Sequence, residues 1–362
     1  MAAPGRARRP TETPHVRLTR HHSIPGGRPT RLTLVLLMAL CLGGAANFDL
    51  RQASAADVAQ SVSPAAASVA PGARKGPPKC RLSPRGIPQC RPLVGASHGS
   101  NTEPVGLEQM AGRSLAVRRT YYTAGQVDSA ISTAAGDIAQ GRLPWISFKL
   151  PYSWEDMAAG RGDAWARNIA RRLSALPGQV WIAFHHEPEG DGNLAAWRRT
   201  QERLAPLVRR AAHNVAYSVV LTGWDQLYGD PAYHFDQIWP RGVKIDIAGF
   251  DLYNEYGVTK NGKYDDRWPC MRCLYYTPIA QWAAAHDVAW GIAEFGWTDA
   301  AAEVHPHWLH QTYRTARKAG AVAFTYFDTP YNSIASWDLT SYDKQKLFTD
   351  LAKRSPVPQL RH

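Results

Sequence analysis

Trp181-Ile182-Ala183-Phe184-His185-His186-Glu187-Pro188 begins apolar and aromatic and ends in two histidines and a glutamate. Pro188 has no N–H to donate, so strand pairing stops there. The stretch predicts a buried strand that delivers a carboxyl group at its C-terminal end. Val288-Ala289-Trp290-Gly291-Ile292-Ala293-Glu294-Phe295-Gly296-Trp297 has the same form. Two buried strands, each tipped with a glutamate, predict a pair of carboxyl groups facing one site.

Working outward, similar apolar runs recur from residue 93. They lie at Leu93–Ala96, Leu115–Tyr122, Trp145–Leu150, Tyr217–Leu221, Ile245–Tyr253 and Ala321–Asp328, besides the two already quoted. Helical spacing falls between most of them: around Val127 to Ala139, through Ala164, Ile169 and Leu173, through Ala195, Leu204, Leu207 and Val208, then Pro278–His286, His307–Lys318 and Asp343–Lys353. Eight strand-like runs in about 260 residues match the count and size of a (β/α)8 barrel. An open doubly wound sheet also alternates strand and helix, but it usually carries a Gly-rich turn after its first strand, and Gly95-Ala96-Ser97-His98-Gly99 is a poor version of one. The expected fold is a single (β/α)8 TIM-barrel domain over 93–354.

Barrel enzymes build their sites at the C-terminal strand ends. In this chain His98, Tyr121, Lys149, His185, His186, Glu187, Asp251, Tyr253, Glu294, Tyr326 and Asp328 all fall there. Two carboxyl groups flanking a glycosidic bond can hydrolyse it, one protonating the leaving oxygen and the other attacking the anomeric carbon or activating water. A plain ion pair or helix cap would account for one such glutamate as well; two on opposite sides of the mouth favour chemistry. His185 and His186 are adjacent and should point to opposite faces, which makes a poor metal site.

An acid ending strand four and a nucleophile ending strand seven is the layout of the large retaining glycosidase clan built on this barrel. His186-Glu187 resembles the His-Glu pair of glycoside hydrolase family 26, the β-mannanase family. Glu294-Phe295-Gly296 is similar to that family's nucleophile stretch, and Asp251-x-Tyr253 to its strand-six motif. The resemblance covers roughly 93–354. It implies that Glu187 is the general acid and base, Glu294 the nucleophile, Tyr253 the residue that orients it, and His186 and Asp251 supporting groups. It also implies a carboxyl separation of roughly 5–5.5 Å, the retaining distance. Pro188-Glu189-Gly190 stands where family members commonly have Met-Asn-Gly, so the sugar subsites differ there. The expected activity is a secreted endo-β-glycosidase on β-mannan, with β-glucan, β-1,3-xylan or non-catalytic polysaccharide binding as alternatives.

Sugar rings stack on aromatic faces, and the chain has 13 Trp and 15 Tyr. Trp154, Trp297, Trp197, Trp224 and Tyr326 near strand ends are the candidate subsites, with Asp328 and Lys149 as polar contacts. Trp181 and Trp290 lie mid-strand and read as core. His305, His307 and His310 read as a solvated helix face. No metal or other cofactor is expected.

The net charge of +12 is unevenly placed: residues 1–55 carry +6, residues 56–92 carry +5, and the remainder only +1. A near-neutral body lacks the basic face that nucleic acid requires. Arg17, Arg20, Arg28 and Arg31 precede the apolar run Leu32–Ala46, and Ala53-Ser54-Ala55 fits a cleavage site, so residues 1–55 read as a secretory signal peptide. An uncleaved membrane anchor is the less favoured reading. Residues 56–92 read as an Ala/Pro/Ser-rich linker and a small disulfide loop, and 355–362 as a tail. Cys80, Cys90, Cys270 and Cys273 form an even set in an exported chain and predict disulfides, with three pairings open. The expected product is a secreted monomer whose partner is a polysaccharide.

Overall fold

The computed structural model describes residues 78–90, 92–260, 262–331 and 335–360. The expected signal peptide and the linker up to residue 77 lie outside the described residues. Eight parallel strands close into a barrel: β1 Leu93–His98, β2 Val117–Tyr122, β3 Leu143–Phe148, β4 Val180–Phe184, β5 Val215–Leu221, β6 Ile247–Asn254, β7 Ala289–Trp297 and β8 Ala323–Asp328. β8 closes on β1 with Ala323 opposite Leu93 and Asp328 opposite His98. All eight predicted strands are present, in the predicted order, and the fold is a (β/α)8 barrel.

Strand alternation divides the apolar side chains between two cores. Val117, Leu143, Trp145, Trp181, Ala183, Ala216, Val220, Ile247 and Ala293 fill the barrel interior. Trp145 and Trp181 meet edge to face there, with ring centroids 5.0 Å apart, and the Trp145 indole N–H donates to Ser218 Oγ at 2.9 Å. Val180, Ile182, Phe184, Phe250, Ile292, Phe295 and Phe324 face the surrounding helices. The helix Leu194–Ala211 shows how that outer layer is built. Asn193 caps its first turn by accepting from Ala196 N–H, and Trp197, Leu204 and Val208 are buried. Arg209 and Arg210 sit in its last turn, where cations favour the helix dipole.

The N-terminal end of the barrel is closed by chain that the sequence reading assigned to loop and tail. Lys79–Arg81 pairs in parallel with Val357–Gln359. Cys80 and Leu82 join the interior core, and the Arg85 guanidinium donates to the carbonyls of Arg209, Ala212 and Val215. Gly86 has a φ of +84° and packs where a Cβ would lie 2.9 Å from the Trp181 indole nitrogen, so the turn needs glycine twice over. The disulfides are the local ones, Cys80–Cys90 and Cys270–Cys273. Among the described residues no helix is long and apolar enough to cross a membrane.

Candidate active site

Both glutamates stand at the C-terminal mouth, and each is placed there by a local break in strand regularity. In β7, Ile292 pairs opposite Phe250 but Glu294 opposite Asp251, so Ala293 is an extra residue, a β-bulge. Regular alternation would put Glu294 on the helix side, opposite to Ala293. The bulge instead leaves Ala293 in the interior core and aims Glu294 into the mouth, while Phe295 returns to the outer layer. At the end of β4 the chain leaves the sheet through two non-glycine residues with positive φ, His185 at 54° and Glu187 at 48°. Such backbone strain persists only where neighbours hold it. Here the His185 N–H donates to Phe148 O at 2.8 Å and the Glu187 N–H to Val220 O at 3.0 Å, tying the turn to β3 and β5.

Glu294 is buried and held on both oxygens. The Tyr121 hydroxyl donates to Oε1 and the Tyr253 hydroxyl to Oε2, each at 2.8 Å. Arg119 Nη2 lies 4.0 Å from Oε1. The Arg119 side chain is itself fully buried, donates from Nη1 to Ser147 Oγ at 2.7 Å, and sits over the Tyr121 ring at 4.7 Å. Two tyrosine donors and a nearby cation thus hold this carboxyl in one orientation at the mouth.

Glu187 is in the opposite condition. Burial, followed by the charges of Glu294 and Glu189, raises its pKa to about 8 against opposition from Arg119. It therefore carries a proton at neutral pH. Asp251 is buried, and desolvation followed by the charges of Glu294 and Glu187 pushes it well above the usual carboxyl range. Neither Asp251 oxygen has a hydrogen-bond partner among the described residues. Glu189 is a third group of this kind, raised to about 7 chiefly by burial. Its Oε1 accepts from Thr222 N–H at 3.2 Å and from the Gln226 side chain at 2.5 Å, while Oε2 is unpartnered among the described residues. A carboxyl raised by burial beside one held by two tyrosine hydroxyls is an arrangement that sets apart the environments of an acid and a nucleophile.

Both histidines are kept neutral by burial. His185 accepts from the Trp154 indole at 3.3 Å and contacts Asp191 through Nε2 at 2.9 Å, which fixes its tautomer. His186 packs against the Tyr121 ring with centroids 5.4 Å apart, and its Nδ1 is without a partner among the described residues.

The aromatic expectations need correction. Trp297, Trp197 and Tyr326 are fully buried and have no face to offer a sugar. Trp297 stacks on Trp308, the Trp197 indole donates to His185 O at 3.0 Å, and the Tyr326 hydroxyl donates to Trp337 O at 2.7 Å. Trp154 is buried too and holds His185. Trp224 is 49% exposed and pairs with Tyr228, 44% exposed, at a ring separation of 4.9 Å. Asp328 is buried and contacts His98 Nδ1 at 2.6 Å, and Lys149 lies half-exposed 3.7 Å from Asp191. Tyr121, Arg119 and Glu189 are site residues that sequence reasoning left without a role. A signal existed for Arg119, a charge inside an apolar strand run. Among the described residues no group of three His, Cys, Asp or Glu is suited to a metal ion.

The fold and this carboxyl pair define the chain as a (β/α)8 barrel with a two-carboxylate mouth. No protein-family profile matches the chain, and no curated protein matches it in sequence. Solved structures match it in fold. Thermotoga maritima Cel5A in complex with mannotriose is 14% identical at a TM-score of 0.53, covering 71% of this chain and 96% of its own. The exo-β-1,4-mannosidase Op5Man5 of Opitutaceae bacterium strain TAV5 is 16% identical at 0.55, covering 76% and 61%. A GH26 β-mannanase of Bacteroides ovatus is 12% identical at 0.51, covering 75% and 91%.

Proposed function

We propose that this protein is a secreted, retaining endo-β-glycosidase that hydrolyses β-mannan by double displacement. Glu187 protonates the glycosidic oxygen while Glu294 attacks the anomeric carbon, giving a covalent glycosyl-enzyme. Glu187, now ionised, then takes a proton from water as that water displaces Glu294, and regains the proton it gave. Both carboxyls end the cycle as they began, and no cofactor takes part. Tyr253 and Tyr121 orient Glu294, Asp251 supports the pair through its charge coupling to Glu187 and Glu294, and His186, Lys149 and the exposed face of Trp224 contact sugar. The protein acts as a monomer with a polysaccharide as its partner.

The observation that carries this reading is the asymmetry of the pair: Glu294 receives two tyrosine hydroxyls, while burial keeps Glu187 protonated to about pH 8. Mannan is supported by the structural neighbours: Cel5A in complex with mannotriose as substrate, an exo-β-1,4-mannosidase and a GH26 β-mannanase. β-Glucan is the second reading, because Cel5A has also been solved with cellobiose. Export is supported by the two disulfides, which persist in oxidising compartments.

A polysaccharide panel tests the reading. Reducing ends released from mannan, glucomannan, lichenan, β-1,3-xylan and xylan are compared for wild type, Glu187→Ala and Glu294→Ala. Turnover of a β-mannan that both variants lose is the expected result. Retention of one polymer on an affinity gel without turnover would replace the enzyme by a binding protein.

A further inference from the structure

The helix Tyr342–Lys353 that follows β8 begins with a buried lysine that the proposed reaction does not use. Lys344 is 2% exposed, and its Nζ lies within hydrogen-bond distance of five oxygens. They are Asp299 Oδ1 at 2.8 Å, the carbonyls of Ser336 and Asp338 at 3.0 Å, Trp297 O at 3.2 Å and Trp337 O at 3.3 Å. Three N–H bonds thus join the end of β7, three residues past Glu294, to the 336–338 segment. That segment is pinned from β8 as well. The Tyr326 hydroxyl donates to Trp337 O at 2.7 Å, and Leu339 N–H donates to Asp328 Oδ1 at 2.7 Å.

The segment carries Trp337, whose ring rests on Tyr253 with centroids 4.8 Å apart. Tyr253 is the donor to Glu294 Oε2. Gly296 makes room for this contact: a Cβ there would lie 2.8 Å from the Tyr253 ring and 3.2 Å from Trp337 Cβ. Phe327 packs on Tyr253 from β8, with ring centroids 6.0 Å apart. The ring of Tyr253 is therefore held by Trp337 and Phe327, and Trp337 is held by Lys344.

We propose that Lys344 is a positioning residue for Glu294, locking the 336–338 segment so that Trp337 fixes Tyr253 and Tyr253 fixes the nucleophile. This rests on Glu294 being the nucleophile of the proposed reaction. A burial cost as large as that of a lysine Nζ is sustained only by groups that satisfy it, and here those groups are the carbonyls that set the position of Trp337. A displacement of about 1 Å at the nucleophile costs roughly a hundredfold in rate. Lys344 itself touches neither Glu294 nor, in this reading, the sugar.

The test compares Lys344→Met with Lys346→Met, whose Nζ pairs with Asp350 in solvent at 2.7 Å. Steady-state kinetics are taken well below each variant's melting temperature. Lys344→Met is expected to lower kcat roughly tenfold to a hundredfold with KM within about twofold of wild type, and Lys346→Met to change neither. Tyr253→Phe should lower kcat likewise, and the double variant Lys344→Met/Tyr253→Phe should lose no more than the worse single one. Additive losses, or a raised KM with kcat intact, overturn the proposal. If Lys344→Met does not fold, Gly296→Ala pushes Tyr253 and Trp337 apart with Lys344 in place, and full kcat in that variant overturns it. Should wild type hydrolyse no polymer, it is the proposed function that fails, and amide hydrogen exchange then decides the clamp without turnover. Lys344→Met should speed exchange at residues 252–254 as well as 335–340, and a change confined to 335–340 overturns the proposal.

Discussion

Arg118 and Arg119 are buried neighbours on β2, yet each serves a different cluster of carboxyl groups. Arg118 points to the helix layer, where Arg142 joins it against Asp137, Glu103 and Glu108. Every one of those contacts is 2.5–3.0 Å long. Arg119 points to the barrel mouth, where Glu187, Glu189, Asp251 and Glu294 gather and where its Nε and Nη2 have no hydrogen-bond partner among the described residues. In the first cluster the outcome is divided: hydrogen bonds from Arg142 and the charges of both arginines hold Glu103 below its usual value against burial, whereas burial raises Asp137 in spite of them. In the second, burial and like charge win, and Glu187, Glu189 and Asp251 rise. Two arginines against three carboxyls make a network of short ion pairs, while one arginine against four leaves three of them with raised pKa values.

The comparison can be broken first on the mouth side. Glu294→Ala should lower kcat by roughly 10⁴-fold or more, since removal of a nucleophile eliminates the covalent route, and Glu187→Ala by roughly 10²–10⁴-fold. Both variants should melt close to wild type. Comparable activity loss together with unfolding would make the mouth another structural cluster.

On the other side, Arg142→Met leaves Asp137 and Glu108 without their main partner. A loss of about 3–5 kcal/mol in unfolding free energy is expected, with kcat unchanged where the variant is folded. Urea melts and kinetics on the same samples check this, and a kcat effect at full folding would erase the contrast.

The pH dependence sharpens it. Glu187 must hold a proton to act, so activity should fall as pH rises through about 8. Between the ordinary value of 4.5 and about 8 the native state keeps a proton that the unfolded state has released. Folding stability attributable to this group is therefore present below that window and is lost as pH rises across it. Glu187→Gln should melt above wild type at pH 8 and converge with it near pH 4.5. A constant difference across pH would show that Glu187 does not titrate as described.

Trp224→Ala is the smallest change. It removes an exposed face at the mouth, and KM on polymer should rise several-fold, about 1 kcal/mol, with kcat retained.

Much of this was legible because it depends on pattern. Apolar runs marked all eight strands, and Glu187, Glu294 and Tyr253 lie at or near their C-terminal ends. The bulge at Ala293 was not legible, since alternation is silent about one inserted residue, yet it decides which way Glu294 faces. Tyr121 ends a run as Tyr253 does, but only closure of the barrel brings it across to Glu294. The indoles misled for a physical reason: Trp297 at the end of β7 and Trp197 in the helix Leu194–Ala211 pack as tightly as Trp181 in mid-strand. Pairing of Lys79–Arg81 with Val357–Gln359 joins segments nearly the whole chain apart, which no local signal records.

The most direct measurement of the central claim is the anomeric form of the first product. Proton NMR during hydrolysis of a manno-oligosaccharide should show the β anomer first, with the α anomer growing in only by mutarotation. The α anomer appearing first would mean single displacement by water, and would contradict the assignment of Glu294 as the nucleophile.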